Sequence, residues 1–143
     1  MLAFLDRTAP RDAWDISRLP LITPELPQSA AFRRWFVAMS FILDHGLETY
    51  GQDRLRERLA TSTIESQLHP MLSRGERLEP GELFAKAWSV VGPLVRLTES
   101  EAEFARRAQQ ADFEGRADLW RRYAGRETVR VASASRMEDK EPQ

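Results

Sequence analysis

Phe32, Trp35, Phe36, Met39, Ile42 and Leu43 fall at three- and four-residue steps. That spacing places large apolar side chains on one face of a helix, because 3.6 residues make a turn. The pattern predicts a helix from about Ser29 to Asp44, with Gly46 at the position where a terminating glycine belongs. Burying one such side chain is worth roughly 1.5–3 kcal/mol, so this helix is the expected centre of the core.

The same period recurs along most of the chain. Leu2, Phe4 and Leu5 read as a helix closed by Arg7. Thr8-Ala9-Pro10 breaks it, and Asp12 caps or opens a short helix with Trp14, Ile16 and Leu19, ended by Pro20. Three prolines between 20 and 28 predict extended loop. A short helix is expected around Asp53–Leu59. Ser62-Thr63-Ile64-Glu65 reads as a capping box opening a helix that Pro70 kinks and Gly75 ends. Glu79-Pro80-Gly81-Glu82 starts a helix with Leu83, Phe84, Ala87, Trp88 and Val91 on one side, its last turn weakened by Gly92-Pro93. Thr98-Glu99-Ser100-Glu101 is a second capping box, and Ala117, Leu119, Trp120 and Tyr123 mark a last short helix. Val129 and Val131 alternate too briefly for a strand. The expected class is all-α, an irregular helical bundle. One helical domain is expected over residues 1–125, with a disordered tail over 126–143.

Composition narrows the chemistry. The 143 residues carry 22 acidic and 21 basic side chains, a net charge of −1, which excludes a global polycation that coats nucleic acid. Without cysteine there is no disulfide framework, thiolate zinc site or cysteine nucleophile. His45 and His69 are distant in sequence and read as surface or capping residues rather than metal ligands. There is no phosphate-binding glycine loop and no serine elbow. No apolar run is long enough to span a membrane, and no leader is read at the N-terminus, so the expected compartment is the cytoplasm. Only Lys86 and Lys140 are lysines, against nineteen arginines, a bias that fits a GC-rich bacterial genome.

Asp12 and Asp15 share a helix face at three-residue spacing, and Arg11 stands four residues before Asp15. By spacing alone Asp12 is a cap and Arg11–Asp15 a surface ion pair of little worth. Arg106, Arg107, Arg121, Arg122, Arg126 and Arg130 make the C-terminal third locally basic. A solvated face is the default reading, a phosphate-tracking RNA surface the alternative.

Leu2, Ala3, Leu5 and Arg7, followed by Arg11, Asp12 and Asp15, resemble a late motif of the AbiEii/AbiGii abortive-infection nucleotidyltransferase toxins, in which a Lys-Leu-x-Ala-Leu-x-x-Arg helix runs into Arg-Asp-x-x-Asp. The stretch Ala31–Val37 is similar to the family's next segment, and Leu97–Phe104 resembles its Leu-Thr-x-x-Glu-x-x-Phe element, so the likeness extends over about residues 1–120. It implies a cytoplasmic transferase that moves a nucleotidyl group from a nucleoside triphosphate to an acceptor such as tRNA, with Mg²⁺. Carried over, Asp12, Asp15 and Arg11 would be catalytic and Arg7 would bind the nucleotide. The family's β-sheet half, with its metal-holding Asp-x-Asp pair, has no counterpart here, and its lysine would fall just before Met1. The chain is therefore expected to be the C-terminal helical portion of such an enzyme, the product of a truncated gene, a mis-called start or a split protein, inactive alone and without a cofactor of its own. Its expected partners are the missing half, a cognate antitoxin or tRNA. The alternative is a non-enzymatic helical interaction module of antitoxin or adaptor type, motivated by the aromatic load expected to be exposed over Met1–Leu19.

Overall fold

The computed structural model describes residues 1–59, 61–72 and 78–123, with backbone only for 61–63. Every regular element among the described residues is helical and none is a strand, as the periodicity predicts. The α-helices are α1 (Leu2–Arg7), α2 (Pro10–Ile22), α3 (Ala30–Met39), α4 (Gln52–Arg58), α5 (Thr61–Gln67), α6 (Pro80–Val95) and α7 (Glu99–Gln110). A further helix, α8, covers 113–123. Short 3₁₀ turns stand at Leu26–Gln28, Ser40–Ile42, Leu47–Thr49 and His69–Met71. The capping box at Ser62–Glu65, the stop at Gly75 and the tail over 126–143 fall outside the described residues or side chains.

Helix α6 is the buried axis. Leu83, Phe84, Ala87, Val90, Val91 and Leu94 are all buried on it. Its most extensive packing is with α2, which contributes Ala13 and Ile16 to the core. Phe36 and Val37 come from α3, and Phe104 and Ala108 from α7. The expectation that α3 lies at the very centre is thus half right: it lines the core with one face and leaves the other to solvent.

Local chemistry explains where the boundaries differ from expectation. Helix α2 is capped by Ala9, with Pro10 at its first position, so Asp12 is a first-turn residue and not the cap. It runs past Pro20 to Ile22, and the Thr23 amide closes it on Leu19 O at 2.9 Å. In the last turn the proline removes only one ladder bond, which is cheaper than in mid-helix. Helix α3 starts at the Ser29 cap, whose hydroxyl accepts from the Phe32 amide, but tightens into a 3₁₀ turn after Met39. Gly46 has φ −61° and ψ 147° and precedes a 3₁₀ turn, so it is not the left-handed terminator expected of it. The capping box at Thr98 is present with both of its hydrogen bonds.

Thr8 carries the tightest corner. It ends α1 at φ 51° and ψ 41°, the only positive-φ non-glycine residue among the described positions. A β-branched residue is strained there. Thr8 is also buried, and its hydroxyl has no hydrogen-bond partner. An orphaned buried hydroxyl costs roughly 1–3 kcal/mol. Thr8→Val keeps the branched shape and removes the orphan. We expect it to raise the melting temperature by about 3 °C, equivalent to ~1 kcal/mol; calorimetry showing no rise would contradict this.

Candidate functional site

The α1–α2 corner gathers the residues that the sequence singles out. Arg7 in the last turn of α1 and Asp12 in the first turn of α2 form a two-pronged ion pair, Nε to Oδ2 at 2.7 Å and Nη2 to Oδ1 at 2.9 Å. Both charges complement their helix dipoles. The Asp12 carboxylate raises the Arg7 pKa, first through the hydrogen bond and then through its charge. The Met1 amine lies close enough to feel Asp12 and Asp15; burial pulls its pKa down more than those charges raise it. Arg58 on α4 donates to Asp6 O at 2.8 Å and ties this corner to the bundle.

Arg11 and Asp15 are exposed on α2, and the expected ion pair between them does not form. Asp12 spends both oxygens on Arg7, so it offers no ready base. Among the described residues no three His, Asp or Glu side chains lie close enough together to hold a metal ion. Among the described residues this corner therefore does not fit a Mg²⁺–triphosphate site. Because Arg7 is mostly exposed, its ion pair contributes little. Arg7→Gln should change stability by less than about 1 kcal/mol; a loss several times larger in urea titration would show that the clamp holds the fold.

Sequence reading missed the strongest polar cluster. Arg33 on α3 makes a two-pronged ion pair with Glu101 on α7, both contacts at 2.7 Å. The same guanidinium donates to Pro93 O and Arg96 O, each at 2.8 Å. Glu101 also accepts from the Thr98 amide at 2.8 Å. One arginine thus covers the carbonyl end of α6 while its partner carboxylate caps the amide end of α7. Both carbonyls lie at the end of α6, where no further helical turn can pair them. Burial pushes the Glu101 carboxyl up, but hydrogen bonds from Arg33 and Thr98, with the Arg33 charge, outweigh it and hold the pKa below the usual carboxylate value. Sixty-eight residues separate the two partners, so no local motif announces them; the available signal is Arg33 with Arg34, the two charges in the apolar stretch from Ala30 to Met39.

The basic C-terminal third is locally neutralised where it is described. Arg106 and Arg107 both pair with Glu103, and Arg121 and Arg122 both lie against Asp118. That halves the charge available to a phosphate backbone. Arg126 and Arg130 lie outside the described residues. His45 is exposed, while Nε2 of His69 is buried without a hydrogen-bond partner.

Among the described residues Met71 and Phe113 are singly exposed, and two groups of exposed apolar side chains stand out. Leu21 and Ile22, 78% and 71% exposed, project from the end of α2 beside a groove of about 360 Å³ whose lining includes Pro20, Pro24, Pro27, Val90 and Pro93. The other surface runs along α3 into the 3₁₀ turn that follows it. Trp35, Met39 and Ile42, at steps of four and three residues, are 57%, 39% and 57% exposed. Trp120 of α8 flanks this ridge, its ring 5.0 Å from that of Trp35. By contrast the front of the chain is covered: Phe4 and Leu5 are fully buried and Trp14 is half-buried under Arg18. The aromatic load expected to be exposed over Met1–Leu19 is therefore absent, and the exposed apolar surface lies elsewhere.

Comparison with known protein families, with curated proteins and with solved structures finds no match. Among the described residues no helix is long and apolar enough to cross a membrane.

Proposed function

We propose that this chain is a helical interaction module, without catalytic activity of its own, that works by docking its α3 ridge onto a protein surface. The observation that carries this reading is the outward row of Trp35, Met39 and Ile42. A folded chain whose core is already closed gains nothing from exposing three large apolar side chains in a line, whereas a partner surface does gain from them. Adaptor and antitoxin roles in the cytoplasm both fit such a module. The test uses two substitutions on the ridge, Trp35→Glu and Ile42→Glu. Both should abolish association with the physiological partner while circular dichroism and melting temperature stay within a few degrees of wild type. Association that survives both substitutions would sink the reading.

A second reading has its own support, the two-pronged pairing of Arg7 with Asp12 at the corner from which Arg11 and Asp15 also project. In that reading the chain is the helical C-terminal portion of a nucleotidyltransferase toxin of the AbiEii/AbiGii type. Mg²⁺, the nucleoside triphosphate and the acceptor tRNA would be engaged by a separate catalytic half. Incubation with labelled triphosphates and tRNA is expected to give no transfer by the chain alone. If this second reading holds, adding the polypeptide encoded next to it restores transfer, and Asp15→Asn lowers the restored rate. If only the first holds, no combination is active.

A further inference from the structure

We infer that α8 is a displaceable strap that regulates the α3 ridge, keeping part of it covered until a partner takes its place. The inference rests on the interaction-module reading and adds the regulation of that site. Helix α8 meets the bundle through one face, Arg116, Trp120 and Tyr123, at steps of four and three residues. The Trp120 ring stands 5.0 Å from that of Trp35, and Tyr123 stacks on Phe104 of α7 at 4.4 Å. The Arg116 guanidinium sits 4.5 Å over Phe41 and donates to Ala108 O at 2.9 Å. Phe41 precedes Ile42 in the 3₁₀ turn that ends the ridge. So α8 runs alongside the ridge in the opposite direction and covers ring surface at both ends of it. Yet the strap is lightly held. None of residues 111–123 is buried, whereas α7 beside it buries Glu101, Phe104, Ala105 and Ala108. A helix this short is marginal without packing. Its first turn is capped from within, Asp112 accepting from the Gly115 amide at 2.8 Å, and its Asp118 pairs with its own Arg121 and Arg122. The Ala111 amide closes α7 separately on Arg107 O at 3.0 Å. Lifting α8 therefore leaves both helix ends at that junction capped, and exchanges its ring contacts for those that a partner's apolar side chains supply.

The experiment follows the full chain by hydrogen exchange, and by photo-crosslinking from position 42 in the cells that make the protein. In wild type the α8 amides should exchange at least about tenfold faster than those of α6 and α7, because α8 opens without the bundle unfolding. Trp120→Glu should speed α8 exchange further and leave α6 protection unchanged. It should also raise the adduct from position 42 severalfold, since an open strap no longer competes for the ridge. Arg116→Ala should move both readouts the same way by less, and Glu114→Ala, on an exposed side chain, should move neither. Exchange of α8 in step with α6, or loss of α6 protection in Trp120→Glu, overturns the proposal by making α8 part of the cooperative core. An adduct that is unchanged or weaker in Trp120→Glu overturns it too, a weaker one because it places Trp120 in the docking surface itself. Those results leave the interaction-module reading standing, whereas no adduct from position 42 in any version removes both.

Discussion

Glu101→Ala is expected to remove about 3 kcal/mol of stability, and Arg33→Ala about as much, because each leaves its partner's charge largely buried and unpaired. Arg33 and Glu101 have side chains only 28% and 10% exposed, so solvent repays little of that loss. For a chain of this size the melting temperature should fall by roughly 10 °C. Losing both partners together should cost less than the sum of the two, since no lone charge is left behind. Glu103→Ala is the control: Glu103 lies on the exposed side of the same helix, pairs with Arg106 and Arg107, and should change stability by less than about 1 kcal/mol. A pH series adds an independent check. The native Glu101 pKa is depressed, so its contribution is complete above the unfolded value of about 4.3 and is lost as pH falls through the lower native value. Wild type and Glu101→Gln should therefore differ most near neutrality and converge in acid. If Glu101→Ala melts with wild type at pH 7, the joint between α3, α6 and α7 is not what holds those helices together.

Phe4→Ala carries the other large effect. Phe4 is fully buried, and truncating a buried phenylalanine costs about 3–5 kcal/mol. The result matters beyond stability, because it says where α1 belongs. A first helix that closes this chain's own core loses that energy on truncation. A first helix waiting to be covered by another polypeptide would lose little in the isolated chain. Leu21→Ala and Ile22→Ala, on side chains 78% and 71% exposed, should each stay within about 0.5 kcal/mol of wild type. Equilibrium urea unfolding of the three variants separates the two situations.

The helical class was legible in the apolar period alone, and so were most helices, because 3.6-residue spacing and caps such as Ser29 and Thr98 are local signals. Boundaries set by tertiary contacts were not. Gly92-Pro93 reads as a weak last turn, yet α6 continues to Val95, and the carbonyls left open at its end, Pro93 O and Arg96 O, are covered by Arg33 from a helix some sixty residues away. Pro20 reads as a stop, yet α2 continues because the lost bond falls at its end. On the candidate site, spacing alone placed Asp12 and Asp15 one helical turn apart on α2. It could not show that Arg7 would reach across the Thr8 corner and take both oxygens of Asp12. The α3 ridge was hidden for a different reason: periodicity marks apolar residues but does not say which of two faces the core takes. Phe36 and Val37 point inward, Trp35, Met39 and Ile42 outward, and nothing in the one-dimensional pattern distinguishes them.

The central claim is that this molecule acts through the outer face of α3. It is tested most directly by placing a photo-crosslinking residue at Ile42 in one version of the chain and at the exposed Glu57 of α4 in another, then irradiating both in the cells that make the protein. The account predicts a defined adduct from position 42, lost when Trp35→Glu is added, and none from position 57. Equal adducts from both positions, or none from position 42, would contradict it.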